Sequence, residues 1–159
     1  MNRRAAMKTD LFQMPGHLIR RLHQRSTRVF SERMRATGQD LTPVQFAALT
    51  ALRAHPSIDQ SRLAHLIAYD RATIGGVVER LERRGLIRRT KDARDRRTRI
   101  LCLTAEGAAC QEAARPIVLA LQNEILANLG DSERAMILKL LEKSLFGNDA
   151  ETPSPDSDA

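Results

Sequence analysis

The strongest chemical signal in the sequence is a basic stretch at residues 80–99. It holds ten Lys and Arg residues against three acidic ones. The basic residues are Arg80, Arg83, Arg84, Arg88, Arg89, Lys91, Arg94, Arg96, Arg97 and Arg99. A local field of this sign suits a polyanion, because each guanidinium group can neutralise a phosphate and release its counterion. A solvated basic face would have the same composition, so composition alone does not separate the two interpretations.

Residue types that often serve catalysis or metal binding are scattered through the sequence. It contains four His and two Cys, and none of them has the spacing of a zinc site. His17 and His23 would fall on different faces of one helix. A nucleophile elbow, a Gly-rich phosphate loop and a His-Glu-x-x-His motif are all missing from the sequence. The sequence therefore predicts neither a metal-binding protein nor an enzyme, and it suggests no cofactor.

The N-terminal residues and the hydropathy pattern bear on where the protein acts. No apolar segment follows the basic residues of the N-terminus, and no run approaches the roughly 18 apolar residues of a membrane span. We therefore expect a cytoplasmic protein without membrane contact. In that reducing environment Cys102 and Cys110 are expected to be packed thiols and not a disulfide.

Charge and composition indicate one domain followed by a tail. The formal charge is +7 overall, and the acidic tail at residues 147–159 contributes −4, which leaves +11 for residues 1–146. Apolar residues make up 42% of the chain and aromatic residues only 3%, so the core should be aliphatic. We expect a flexible N-terminus at residues 1–14, a single domain at residues 15–146 and a disordered tail after it.

Hydrophobic spacing and capping residues predict six helices that would position the basic stretch. Thr42, Pro43 and Gln45 form a capping box with proline at the first helical position. The glycines at positions 38, 85 and 130 are expected to end helices. The predicted helices cover Pro15–Thr37, Pro43 to Pro56, Asp59–Ile67, Arg71–Arg84, Ala105–Leu129 with a bend at Pro116, and a last helix capped by Asp131.

Two extended segments, Leu86–Thr90 and Thr98–Leu103, flank a highly charged link and predict a hairpin with an exposed tip. The order of elements predicts a mostly α protein with a small β-hairpin wing. A winged helix-turn-helix would occupy about residues 41–104, between dimerisation helices at about 15–37 and 105–146. Apolar stripes on the terminal helices exceed what so small a middle can cover, which favours a second copy of the chain as partner.

Five ordered motifs resemble the MarR family of bacterial regulators. The wing run Asp95-Arg96-Arg97, followed by a strand and a Leu-Thr-x-x-Gly motif, is the most specific of them. The matching segments are Leu41–Phe46, Leu63-Ala64, Arg80–Ile87, Asp92–Arg97 and Leu103–Gly107. The resemblance implies an obligate homodimer on a palindromic operator in double-stranded DNA. Its paired recognition helices would enter successive major grooves, and its wings would reach the flanking minor grooves.

The resemblance assigns DNA-binding candidates to the fourth helix, the helix before it and the wing. Thr73 could bond a phosphate or a base edge, and Gly75 and Gly76 would let the helix approach DNA closely, although they could also be merely poor helix formers. In the wing, Asp95 would hold a neighbouring Arg in position. The candidates are Gln60, Ser61, Arg62, Arg71, Thr73, Gly75, Gly76, Arg80, Arg94, Asp95, Arg96 and Arg97.

The resemblance also implies a small aromatic acid as effector. The stretches Pro15–His23 and Asp70–Val77 resemble the branch that controls catabolism of aromatic acids. The likeness is to repressors of nicotinate degradation, for which 6-hydroxynicotinate would be the inducer. Arg supplies a bidentate fork for a carboxylate, and His can donate to a ring hydroxyl or nitrogen. The candidates are His17, Arg20 and Arg21, followed by His55 and His65. The arginines could instead form dimer salt bridges or contact phosphates.

Three other classes of protein stay open. Some members of the family sense oxidants through a cysteine near the first helix, but this chain has no cysteine before Cys102. A DNA-binding protein without a ligand, or a packaging protein without sequence preference, would share the basic surface. A footprint on one palindromic site would separate the packaging protein from a regulator.

Overall fold

The computed structural model describes residues 10–91 and 98–147. Within these ranges the chain forms six α-helices, a short 3₁₀ helix and one three-stranded sheet. The elements are a 3₁₀ helix Asp10–Gln13, α1 Pro15–Ala36, α2 Pro43–Ala54, β1 Ile58–Asp59, α3 Gln60–Leu66, α4 Arg71–Arg83, β2 Ile87–Lys91, β3 Arg99–Leu103, α5 Ala105–Ile125 and α6 Asp131–Phe146.

Four helices begin at polar side chains that cap their first turn. In α2, Thr42 accepts from the Gln45 N–H at 3.3 Å, and the Gln45 side chain accepts from the Thr42 N–H at 3.0 Å. Asp59, Asp70 and Thr104 likewise accept from the backbone N–H three residues later and start α3, α4 and α5. These caps satisfy backbone donors that have no partner within the helix, which explains why the boundaries follow the sequence signals.

The sheet is antiparallel with strand order β1-β3-β2, so β3 lies in the middle. Leu101 of β3 pairs with Ile58 on one side and Arg89 on the other, and its side chain is buried. The predicted hairpin and the mostly α fold class are confirmed. Strand β1 was not predicted, because two residues are too few to show an alternating pattern.

Two features differ from the expected helix ends near the C-terminus. Helix α5 ends at Ile125 and not at Leu129, and it continues through Pro116 as one element. Gly130, and not Asp131, is the residue that precedes the first turn of α6, where the Glu133 side chain accepts from the Gly130 N–H at 2.8 Å. The cap of α6 is therefore supplied from inside the helix.

The N-terminal segment expected to be flexible contains the 3₁₀ helix Asp10–Gln13. This helix leads directly into α1, and Phe12 within it contacts side chains of α1. Phe12 is thus held by residues of another element, and such a contact cannot be predicted from the composition of the segment alone. Within the described residues, no helix combines the length and the hydropathy needed to cross a membrane.

Helix α1 joins the middle of the chain to α5. Phe30 lies 6.3 Å from Phe46 of α2, measured between ring centroids, and both belong to or pack on the aliphatic core. Towards α5, Arg33 donates two bonds to the carboxylate of Glu124, at 2.7 and 2.9 Å. Helices α1 and α5 and the middle of the chain are thus packed around one core.

Candidate nucleic-acid interface and effector site

Helix α4 presents a polar face to solvent and an apolar face to the core. Arg71, Thr73 and Arg80 are exposed, while Gly75 and Gly76 are half-buried. The inner face consists of Ile74, Val77, Val78 and Leu81, each at most 1% exposed. Since these four side chains set the rotation of the helix, the candidate DNA-binding residues of α4 lie on its accessible side.

Asp70 and Thr73 form a closely bonded pair at the start of α4. Asp70 Oδ1 accepts from the Thr73 N–H at 2.8 Å, and the Thr73 hydroxyl donates to Asp70 Oδ2 at 2.5 Å. The side-chain bond and then the backbone bond from Thr73 lower the pKa of Asp70 below its ordinary value. Asp70 is therefore ionised at neutral pH, and the hydroxyl proton that was expected to bond a phosphate is already engaged.

The glycine pair of α4 is not required by packing within the chain. A Cβ on Gly75 would meet the Gln60 side chain at 3.5 Å, and one on Gly76 would meet the Arg80 guanidinium at 3.5 Å. Both distances are ordinary van der Waals contacts. The fold would accept alanine at either position, so close approach to an external molecule is a better reason for glycine there than internal crowding.

A polar cleft of about 320 Å³ opens between the start of α3, the start of α4 and the start of β3. It brings the candidates Gln60, Ser61 and Arg71 together, while Arg62 is half-buried on α3. It also contains Arg99, a member of the basic stretch that was not among the predicted site residues. The lining residues are Asp59, Gln60, Ser61, Arg71, Thr98 and Arg99.

The base of the wing is held by an ion pair from α4. Arg89 of β2 donates to Glu82 at 2.8 Å through its guanidinium, and its N–H donates to the same carboxylate at 3.3 Å. Lys91 and Arg99 are opposite each other in the register of the hairpin, at the end of its described part. The wing candidates Arg94, Asp95, Arg96 and Arg97 lie outside the described residues, so their roles stay predictions.

The first-rank effector candidates gather at the start of α1 around Phe12. The Phe12 and His17 rings are 5.3 Å apart and edge to face, and the Arg21 guanidinium lies 5.3 Å from the Phe12 centroid. Arg20 contacts His17 Nδ1 at 3.4 Å. A guanidinium can only donate, so Nδ1 is the acceptor in this contact and Nε2 is left as the donor of the ring. That Nε2 atom is buried and has no hydrogen-bond partner among the described residues.

The second-rank candidates lie elsewhere in the chain. His55 lines an apolar cleft of about 520 Å³ with Phe46 and Ile67, and His65 is exposed on α3. Phe46 packs on Phe30 of α1, and thirteen residues of helix separate Phe30 from His17, which is about 20 Å. Within one chain, the structure does not bring His55 or His65 to the His17 cluster.

Cys102 and Cys110 are free thiols. Cys102 is half-buried in β3, and its sulfur lies 3.7 Å from the Ser57 hydroxyl and 3.8 Å from that of Thr90. Its surroundings are thus more polar than the apolar strand suggested, because neighbours come from two other segments. Among the described residues, no group of His, Cys, Asp and Glu has the arrangement of a metal site.

Comparison with known proteins places this geometry in a family. Residues 41–98 match the MarR family, the segment that contains α2, α3, α4 and the first strand of the hairpin. The chain is 39% identical over 136 residues to the HTH-type transcriptional repressor NicR of Pseudomonas putida, covering 86% of this chain and 85% of that protein. The chain belongs to the MarR family.

Solved structures of other MarR family proteins share the fold. BpsR of Bordetella bronchiseptica, whose DNA binding is regulated by 6-hydroxynicotinic acid, is 33% identical with a TM-score of 0.77, covering 87% of this chain and 95% of that one. A mutant of MarR from Escherichia coli, solved with operator DNA, is 28% identical with a TM-score of 0.77, covering 87% of this chain and 99% of that one. The chain is therefore a winged helix-turn-helix transcriptional regulator that binds DNA.

Proposed function

We propose that this MarR family chain is a homodimeric repressor. It binds a palindromic operator through the α4 helices of its two subunits, and a small aromatic carboxylate releases it. The representative of this class of acid is 6-hydroxynicotinate, the compound that regulates DNA binding by BpsR. The observation that carries the effector half is the buried Nε2 of His17, which has no hydrogen-bond partner in the described part of the chain and lies beside two arginines and an aromatic ring.

Exposed apolar side chains support the dimer. Among the described residues, every large hydrophobic side chain that is exposed lies in the terminal helices or in the short segment that leads into α1. None of them lies in the DNA-binding middle of the chain. Water-exposed apolar surface of this extent on one region marks an interaction surface. The residues are Leu11, Met14, Leu18, Ile19, Leu119, Met136, Leu138, Leu140, Leu145 and Phe146.

A groove between α1, α5 and α6 continues this surface. It has a volume of about 420 Å³ and is lined mainly by apolar side chains, including Ile19, Leu138 and Leu141. Helix α6 has no buried residue in the single chain. A helix of sixteen residues without a buried face gains its stability from packing against another helix, which a second subunit would supply.

The cluster at the start of α1 has the chemistry to bind an aromatic carboxylate. Arg20 and Arg21 are exposed and can meet a carboxylate with charge-assisted bonds. His17 Nε2–H is a donor in need of an acceptor, which a ring hydroxyl or a carboxylate oxygen provides. Phe12 offers an aromatic edge and face for a planar ring.

The proposal is tested in two steps. In-vitro selection from a random duplex library should enrich one palindromic sequence, and fluorescence anisotropy should show its release by 6-hydroxynicotinate. Thermal shift against a panel of hydroxylated aromatic acids, with benzoate and cyclohexane carboxylate as controls, should raise the Tm only with the ligands that release DNA. If no acid on the panel shifts the Tm or releases the operator, the effector half of the proposal is wrong.

A further inference from the structure

The pair of hydrogen bonds between Asp70 and Thr73 decides what Thr73 can offer to DNA. A threonine hydroxyl has one hydrogen and two lone pairs, and an ionised carboxylate only accepts. Because the Thr73 hydroxyl donates to Asp70 Oδ2 at 2.5 Å, its one hydrogen is committed. The exposed remainder of the side chain is a hydroxyl oxygen that accepts and a γ-methyl group.

The hydroxyl oxygen and the γ-methyl group of Thr73 complement the major-groove edges of some base pairs and not of others. Phosphate oxygens and guanine O6 and N7 are acceptors, so they find no donor on Thr73. Adenine N6 and cytosine N4 carry donors, and only thymine carries a methyl group. An A·T pair offers both a donor for the hydroxyl oxygen and a methyl group for the γ-methyl, whereas a G·C pair offers only the donor.

We propose that Thr73 reads an A·T base pair in each operator half-site through its γ-methyl group and hydroxyl oxygen, and that Asp70 is the positioning residue that prevents it from donating. The inference rests on the proposed function, in which α4 binds the operator, and takes α4 to enter the major groove. The ionised carboxylate of Asp70 also disfavours a phosphate at this point of the helix, so the contact here is to bases. Arg71, Arg80 and Arg83 are exposed cationic groups of α4 that can meet the backbone instead.

The methyl contact is tested with modified operators. The duplex enriched by selection is synthesised with deoxyuridine in place of each thymine in turn, which removes one methyl group and leaves base pairing unchanged. Replacement of one particular thymine in each half-site should lower operator affinity about four-fold, which is the equivalent of one buried methyl group. In Thr73→Ser, which keeps the hydroxyl and the bond to Asp70, this loss should disappear at that thymine alone.

Thr27→Ser is the matched control, because Thr27 is exposed on α1 and the substitution removes the same methyl group away from α4. It should keep the wild-type response to deoxyuridine. If deoxyuridine at every thymine lowers the affinity of wild-type protein and of Thr73→Ser equally, the inference is wrong. Sequence-specific binding, and with it the proposed function, would still stand. A selection that enriches no sequence would overturn both.

Asp70→Asn tests the positioning role. Asn caps helices as well as Asp does, and its one oxygen can accept from the Thr73 N–H, but its amide nitrogen cannot accept from the hydroxyl. The released hydroxyl can then donate to guanine. We expect the wild-type preference for A·T over G·C at the Thr73 position to fall at least three-fold, with a cooperative thermal unfolding transition retained at a slightly lower Tm. An unchanged preference would show that Asp70 does not orient Thr73.

Discussion

A Cβ atom on Gly107 would lie 1.9 Å from the carbonyl oxygen of Leu86. The same carbonyl accepts from the Thr104 N–H at 3.2 Å, and the Thr104 hydroxyl donates to the Gly85 carbonyl at 2.7 Å. The first turn of α5 therefore packs against the turn between α4 and β2. This contact joins α5, a proposed dimerisation helix, to the end of the proposed recognition helix α4, and it explains the glycine of the Leu-Thr-x-x-Gly motif.

Gly107→Ala should destabilise the fold strongly, because the added methyl group meets backbone and not a flexible side chain. We expect a loss of about 3 kcal/mol or more, at the upper end of overpacking effects. Differential scanning calorimetry would show a Tm lower by roughly 10 °C. Gly16→Ala is the control, since a Cβ there has nothing within 4 Å, and its Tm should not fall. Equal Tm values for the two variants would contradict the close contact.

Gly75→Ala and Gly76→Ala should have opposite effects on stability and on DNA binding. Each replaces a poor helix former without a clash, so the free energy of unfolding should rise by about 1 kcal/mol. If glycine is there to let α4 approach DNA, operator affinity should fall at the same time. Urea denaturation and anisotropy on the same preparations measure the two quantities. Greater stability with unchanged affinity would favour the alternative, a poor helix interior without a DNA role.

Arg99→Ala should reduce the salt dependence of operator binding. Arg99 lines the polar cleft with Arg71 at the start of α4, where a backbone phosphate would meet both. Each lost phosphate contact lowers the slope of log affinity against log salt by about 0.9. Lys139→Ala, which removes one positive charge from exposed α6, should leave the slope as it is. The same titration on Arg96→Ala and Arg97→Ala tests the predicted wing contacts, and unchanged slopes for both would refute them.

Ile19→Glu should dissociate the proposed dimer. Ile19 is 56% exposed in the single chain and lines the groove between α1, α5 and α6. A carboxylate buried in this mainly apolar groove would cost several kcal/mol of association free energy through desolvation. Sedimentation velocity should show monomers, and operator affinity should fall because two half-sites are no longer bound together. Gln24→Glu, an exposed position on the same helix, should sediment as wild type. A dimer that survives Ile19→Glu would exclude this groove from the interface.

Arg20→Ala and His17→Ala should raise the concentration of 6-hydroxynicotinate needed to release DNA, with little change in operator affinity. Loss of a charge-assisted bond typically costs about 1.5–3 kcal/mol, which corresponds to roughly ten- to a hundred-fold. Arg20→Lys should rescue only part of the response, since an ammonium lacks the bidentate fork. Arg28→Ala serves as control, because Arg28 is exposed and pairs loosely with Glu32 at 4.0 Å. Equal effector responses in Arg20→Ala and Arg28→Ala would remove Arg20 from the site.

Local signals in the sequence determined most of the helices and the candidate recognition residues. The caps at Thr42, Asp70 and Thr104 act on the backbone three residues later, so their chemistry is contained in a few consecutive positions. The apolar face of α4 follows from helical periodicity for the same reason. The family resemblance was carried by motifs of this kind, and the match to known MarR proteins confirms it.

Contacts between distant segments were decided only by the tertiary structure. Strand β1 exists because β3 pairs with it, and Arg99 joins the polar cleft because the same strand begins beside α3 and α4. The separation of His55 from His17 depends on the length of α1 and on where α2 packs along it. Such relations depend on which segments pack together, a property of the whole chain and not of any short stretch. The sequence by itself therefore determined the elements and their polar faces, while the fold decided which of those faces meet.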